Sequence, residues 1–159
     1  MLIAANNDNK MLFYDVHSIY NYTSTSPSSI SISRPCGLNA VNDTFIYIAS
    51  WYSSLAPTPV STLQYLNDTW SLSPLVNTTP TGVEKVFQTT VDSCGRLWLA
   101  VNRFGIRIFD RWGRLLLHQW PVTPGINGFL LTDNYELFVT NFSPGQIFHF
   151  DPQIDQCTS

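Results

Sequence analysis

The sequence predicts an all-β fold, a partial β-propeller of about three and a half four-stranded blades forming an arc of a six-bladed ring. Three observations carry this. Residues 91–117 read as turn, strand, strand, turn, strand: Val91-Asp-Ser-Cys-Gly-Arg-Leu-Trp-Leu-Ala, then Gly105-Ile-Arg-Ile-Phe-Asp, then Gly113-Arg-Leu-Leu-Leu. Weaker copies begin near Met1, Val41 and Leu130, a spacing of roughly 40–50 residues that marks propeller blades. No segment sustains helical periodicity; β-branched and aromatic runs alternate with Gly, Asn, Asp and Pro.

The elements follow from aligning the copies, with strands lettered A to D from the axis outward. Second strands are Leu2-Ile-Ala-Ala, Tyr47-Ile-Ala-Ser, Trp98-Leu-Ala-Val and Phe138-Val-Thr-Asn. They are apolar on both faces, as suits a sheet covered on both sides. Third strands are Met11-Leu-Phe-Tyr-Asp, Thr62-Leu-Gln-Tyr-Leu, Ile106-Arg-Ile-Phe-Asp and Gln146-Ile-Phe-His-Phe-Asp. Fourth strands are read at Ile30-Ser-Ile-Ser, Trp70-Ser-Leu and Leu115-Leu-Leu-His-Gln-Trp, and first strands at Gly37-Leu-Asn-Ala-Val, Val86-Phe-Gln-Thr-Thr-Val and Gly128-Phe-Leu-Leu. The chain is therefore expected to be one propeller fragment over 1–159, with blade arcs at about 1–34, 37–75, 86–120 and 126–151. The first blade lacks its innermost strand and the last its outermost, so the terminal sheet faces are expected to be uncovered and to assemble with missing blades.

Composition narrows the partners. At 159 residues, 44% hydrophobic, 14% aromatic and only 12% charged, the chain is neither disordered nor strongly charged. A net charge of −3 gives no reason to expect nucleic acid. Arg103, Arg107, Arg111 and Arg114 are read as solvated strand ends and outward faces. No apolar run approaches the ~18 residues that cross a bilayer. No leader is read, since Met1-Leu-Ile-Ala-Ala runs into Asn6-Asn-Asp-Asn. Yet five Asn-x-Ser/Thr sequons occur, at Asn21, Asn42, Asn67, Asn77 and Asn141, where chance would give roughly two. With few lysines and much Ser, Thr and Asn, they point to glycosylation of a secreted, extracellular parent whose leader lies outside this chain. Cys36, Cys94 and Cys157 have no metal-ligand spacing and allow one bridge and one leftover thiol.

In such a fold the ligand sits on the axis, at the mouth formed by D–A and B–C loops. First-strand starts offer Asn39, Phe87 or Gln88, and Asn127; the B–C loops add Trp51, Asn102, Arg103 and Asn141. The stretch from Val86 to Asp151 resembles the calcium-dependent gluconolactonase and senescence-marker-protein family of six-bladed propellers. The resembling text is Val91-Asp-Ser-Cys-Gly-Arg-Leu-Trp-Leu-Ala, Gly105-Ile-Arg-Ile-Phe-Asp-Arg-Trp-Gly-Arg-Leu-Leu, Asn127-Gly-Phe and Leu137-Phe-Val-Thr-Asn. The Asp-x-x-Gly-x-Leu-Trp element is also similar to NHL-type, two-component-regulator and yellow/royal-jelly propellers. The resemblance implies one divalent cation, Ca²⁺, held by carboxylates and asparagine carbonyls and polarising a lactone carbonyl or phosphoryl oxygen. It maps a metal ligand onto Asn127, with Asn39 as a second axial amide. The family's Asp-Gly before Val-Asp-x-x-Gly is here Phe87-Gln88, and Glu84 and Glu136 lie off the strand starts. The alternative role for both asparagines is capping a turn.

Nothing else reaches the level of a site. His17, His118 and His149 have no zinc spacing, no Gly-x-Ser-x-Gly elbow occurs, and Asp15, Asp110 and Asp151 read as turn acceptors closing three C strands. The function this predicts is a non-catalytic extracellular binding module for a protein or glycan, without cofactor. The alternative is a calcium-dependent lactonase-type hydrolase acting on a small-molecule lactone, with part of its site missing from this chain.

Overall fold

The computed structural model describes residues 2–5, 8–13, 28–51, 59–75, 85–121, 125–143 and 145–154. Asn21, Asn77, Cys157, His17, Asp15 and Glu84 lie outside them. Among the described residues fourteen strands form four antiparallel sheets, here blades 1 to 4. Blade 1 holds β1 (Leu2–Ala5), β2 (Lys10–Phe13) and β3 (Ser28–Ser31). Blade 2 holds β4 (Pro35–Asn42), β5 (Phe45–Ser50), β6 (Val60–Leu66) and β7 (Thr69–Pro74). Blade 3 holds β8 (Val86–Val91), β9 (Leu97–Val101), β10 (Gly105–Phe109) and β11 (Leu116–Trp120). Blade 4 holds β12 (Ile126–Leu131), β13 (Leu137–Asn141) and β14 (Gln146–Phe150). Within each sheet the strands follow in sequence order, and the described residues contain no helix. This is a partial β-propeller, with three strands in the first and last sheets as the sequence predicts.

The alternation of each second strand explains how the blades stack. Leu97, Leu99 and Val101 of β9 are fully buried against Tyr47, Ala49 and Val60 of blade 2. Trp98 and Ala100, on the other face, are buried with Phe129, Leu137 and Val139 of blade 4. Likewise Ile46 and Ile48 of β5 pack with Met11 of blade 1. Each such aliphatic side chain contributes about 1.5–3 kcal/mol on burial. In blade 4 this pattern ends on open surface: Leu130 is exposed, and Ile147 is 73% exposed.

In blades 2 to 4 the turn preceding the second strand is held by side chains. In blade 3, Asp92 is almost wholly buried and ion-pairs with Arg96 at 2.7 Å. Its oxygens also accept the backbone N–H groups of Cys94 and Arg96 and the indole N–H of Trp98 at 2.8 Å. Gly95 sits at φ +73° in this turn. The Asp-x-x-Gly-x-Leu-Trp element is therefore a structural hub. Blade 4 repeats it with Thr132 accepting the Glu136 N–H and with Tyr135 in the left-handed position at φ +62°. The Tyr135 hydroxyl crosses to Ser93 at 2.9 Å and to the Cys94 sulfur at 3.4 Å.

One sequence reading is overturned here. Arg107 is not a solvated outward arginine. It is 3% exposed on β10, with its guanidinium 4.2 Å from the centre of the Phe104 ring and its Nε donating to Gln119 Oε1. Its charge is stabilised by an aromatic face and an amide. Arg103, Arg111 and Arg114 are exposed, as expected. Asp110 and Asp151 do act as turn acceptors, for the N–H groups of Arg114 and Leu115 and of Gln153.

Candidate functional site

The innermost strands β4, β8 and β12 share one irregularity: each carries a β-bulge at its start. The extra residue is Cys36 in β4, Phe87 in β8 and Asn127 in β12, and the next residues, Gly37, Gln88 and Gly128, pair with Ala49, Ala100 and Thr140. Bulges re-aim side chains next to functional sites. They also set which positions are equivalent. Asn127 matches Phe87 and Cys36, whereas Asn39, paired with Tyr47, lies three residues beyond its own bulge and matches Thr90 and Leu130. The two asparagines thus stand at different levels of the axis, Asn127 exposed and Asn39 half-buried.

Gln88 does not offer itself to a ligand. Its Nε2 donates to the Phe129 carbonyl at 2.7 Å, and its Oε1 accepts the Phe129 N–H at 2.9 Å. The side-chain amide supplies the inner edge of β12 with the pair of bonds a neighbouring strand would give. Gly128 makes room for it, since a Cβ there would lie 2.7 Å from Gln88 Oε1. Between blades 2 and 3 the fit is closer. A Cβ on Gly37 would lie 2.5 Å from the Phe87 carbonyl oxygen. The Cys36 thiol donates to the Val86 carbonyl at 3.0 Å, and burial pushes its pKa up to about 12. It is a structural thiol and no nucleophile at neutral pH.

The loops around this mouth obey a common scheme. The backbone N–H after each second strand bonds the carbonyl just before the first strand of the same blade: Trp51 to Arg34, Asn102 to Lys85 and Phe142 to Gly125. Trp51 is also bridged to Lys85, whose ammonium lies 4.4 Å above its indole, and it meets Phe87 edge-on at 6.1 Å. Asn102 is half-buried and Arg103 exposed at φ +71°. Asn141 sits one residue inside the scheme. It is 6% exposed, its Oδ1 accepts the Ser143 N–H at 3.1 Å, and only a glycine at position 125 clears that oxygen. Its side chain thus belongs to the turn and is buried rather than presented at the mouth. The exposed residue at this place is Phe142, 79% exposed. Sequence reasoning missed it by one position: Asn141 pairs with Ile126 as Val101 pairs with Val86, so it ends the strand and the loop residue equivalent to Asn102 is Phe142. It also missed Asp8, which is exposed in the turn between β1 and β2 on this rim, beside Asn9 whose Oδ1 accepts the Arg34 N–H.

The donor set does not assemble a hard-cation site. Among the described residues no three His, Cys, Asp or Glu side chains cluster. Asn39 and Asn127 are out of register, and the Gln88 amide is consumed between blades, so the residues present do not fit the Ca²⁺ centre that the sequence resemblance implies. Of the histidines, His118 stacks on Trp120, and His149 stacks on Phe138 with Nε2 at 3.3 Å from Glu136.

The opposite rim holds the sequons of Asn42 and Asn67. Asn42 ends β4, exposed, with Oδ1 accepting the Thr44 N–H at 2.9 Å and its hydroxyl at 3.0 Å. Asn67 and Asp68 form the two-residue β6–β7 turn, both at positive φ. Cys94 on this rim is disulfide-bonded, while Cys36 is free.

No protein-family model matches the chain, and no curated protein matches it. Among solved structures it is similar to a gluconolactonase of Xanthomonas campestris, described as important in glucose secondary metabolic pathways. The TM-score is 0.57 at 17% identity, over 79% of this chain and 41% of that one. The chain thus spans about two fifths of that structure's length. At this identity the likeness is one of fold, and the fold is a propeller arc.

Proposed function

We propose that this chain is part of a gluconolactonase-like propeller whose axial mouth receives a small lactone for hydrolysis. The observation that carries the reading is the position of Asn127. It is an exposed amide on the bulge of an innermost strand, in a fold similar over 79% of the chain to a gluconolactonase. Around it the mouth offers an aromatic rim at Phe142 and Trp51, the cations Lys85 and Arg103, and the amide of Asn102. Such a mixture suits a polar ring that presents C–H groups on one side and oxygens on the other. The experiment is hydrolysis of glucono-δ-lactone by the 159-residue chain, followed by proton release with and without added Ca²⁺. Turnover above the buffer rate that Asn127→Ala abolishes supports the reading. Absence of turnover overturns it for this chain.

A second reading, a non-catalytic binding module for a protein or glycan, is favoured by the Gln88 clamp and by the ungathered oxygen donors. Saturable glycan binding without lactone turnover selects it. An extracellular location is part of the proposal under either reading; the disulfide at Cys94, a bond favoured in oxidising compartments, and the five sequons support it.

A further inference from the structure

The rim away from the mouth carries a groove of about 340 Å³ between blades 2 and 3, lined by Asn42, Thr44, Phe45, Tyr47, Arg111 and Trp112 among others. Three features of it converge. Its floor is rigid: Tyr47 is buried, meets Phe45 edge-on at 5.1 Å, and donates its hydroxyl to the Arg111 carbonyl at 2.8 Å across the blade boundary. Its wall is an indole that the fold leaves open. Trp112 is 57% exposed, with the Arg111 guanidinium over one face at 4.7 Å from the ring centre. A large aromatic surface left in water beside a fixed aromatic floor suits a contact site.

The third feature is Asn42 itself. It is the asparagine of the sequon Asn42-Asp43-Thr44. Both Thr44 donors are aimed at Oδ1, which leaves the exposed amide nitrogen as the free end of the side chain. That nitrogen is the atom an N-linked sugar would replace a hydrogen on, and the residue bearing it lines the groove. We infer that Asn42 carries an N-linked glycan whose first sugar lies in this groove, its C–H face against Trp112 and its hydroxyl and acetamide groups toward Gln64 and Arg111. The covalent tether fixes the occupant: no free ligand competes with a sugar attached at the edge of the cavity. The inference concerns a surface remote from the mouth and stands whichever function the mouth performs.

The test expresses the full chain behind a secretion leader in a eukaryotic host and maps glycopeptides by mass spectrometry. Asn42 is expected to be occupied. Native release of that glycan by an amidase is expected to accelerate about fivefold in Trp112→Ala, the effect of one lost stacking contact. Trp112 is exposed, so its loss leaves the core intact. Asn42→Asp keeps the Oδ1 acceptor while removing the sugar, and it is expected to alter Trp112 fluorescence without unfolding the chain. An unmodified Asn42 overturns the inference, as does a release rate that Trp112→Ala leaves unchanged.

Discussion

Replacing Gln88 by leucine removes both hydrogen bonds to Phe129 while keeping the side chain's bulk. Two bonds at about 1 kcal/mol each, plus the desolvation of two backbone groups left without partners, amount to about 2–3 kcal/mol. For a chain of this size that lowers Tm by about 5–10 °C. The more discriminating experiment is a double-mutant cycle with Gly128→Ala. A methyl group 2.7 Å from Gln88 Oε1 displaces the same amide, so the second substitution has little left to remove. Urea denaturation of the two single variants and the double variant is expected to show a double loss close to the larger single loss, a coupling of about 1.5–2 kcal/mol. The slope with urea should stay unchanged. A Gln88→Leu loss below about 0.5 kcal/mol, or simple additivity, refutes the clamp.

Other expectations follow from the same geometry. Gly37→Ala places a methyl 2.5 Å from a backbone carbonyl that cannot swing aside; thermal melts should show a loss of about 2–4 kcal/mol, and a neutral result removes the close approach of β4 to β8. Asp92→Asn breaks the buried ion pair with Arg96 and should cost about 2–3 kcal/mol in urea melts, against about 1 kcal/mol for Thr132→Ala in the corresponding turn of blade 4. The Cys36 thiol, raised by burial from 9.0 to about 12, favours the folded state in full below pH 9.0, and this contribution is lost as pH rises toward 12. Iodoacetamide at pH 8.5 should accordingly modify the native thiol about a hundredfold more slowly than the unfolded one, and equal rates would contradict its burial.

Much of the fold is written locally. Turn residues and apolar pairs in Tyr47-Ile-Ala-Ser, Trp98-Leu-Ala-Val and Phe138-Val-Thr-Asn phase the second strands, and the ladders start within two residues of the expected places. The mouth is less legible because it depends on residues distant in sequence. Asn127 falls in line with Phe87 and away from Asn39 only once the pairing is known, since Asn127 and Phe87 are bulge residues and Asn39 lies three residues past its own bulge. Gln88 reads as a ligand-facing amide until β12, some forty residues on, presents an unpaired edge to it. Arg107 reads as a surface charge because the Phe104 face and the Gln119 amide that shelter it come from a neighbouring loop and strand. Asp92 is the converse case, a motif carboxylate whose spacing to Arg96 and Trp98 is local and was legible as a tight turn.

The glycines of the inner strands also set how neighbouring blades meet. Where Gly37 meets Phe87, two backbones touch with no side chain between them; where β8 faces β12, a whole glutamine amide is interposed. The contact between neighbouring innermost strands is therefore unequal along the arc: backbone against backbone between blades 2 and 3, backbone against a side-chain amide between blades 3 and 4. The second boundary hangs on a side chain that one substitution removes, the first on a close approach that only a glycine permits.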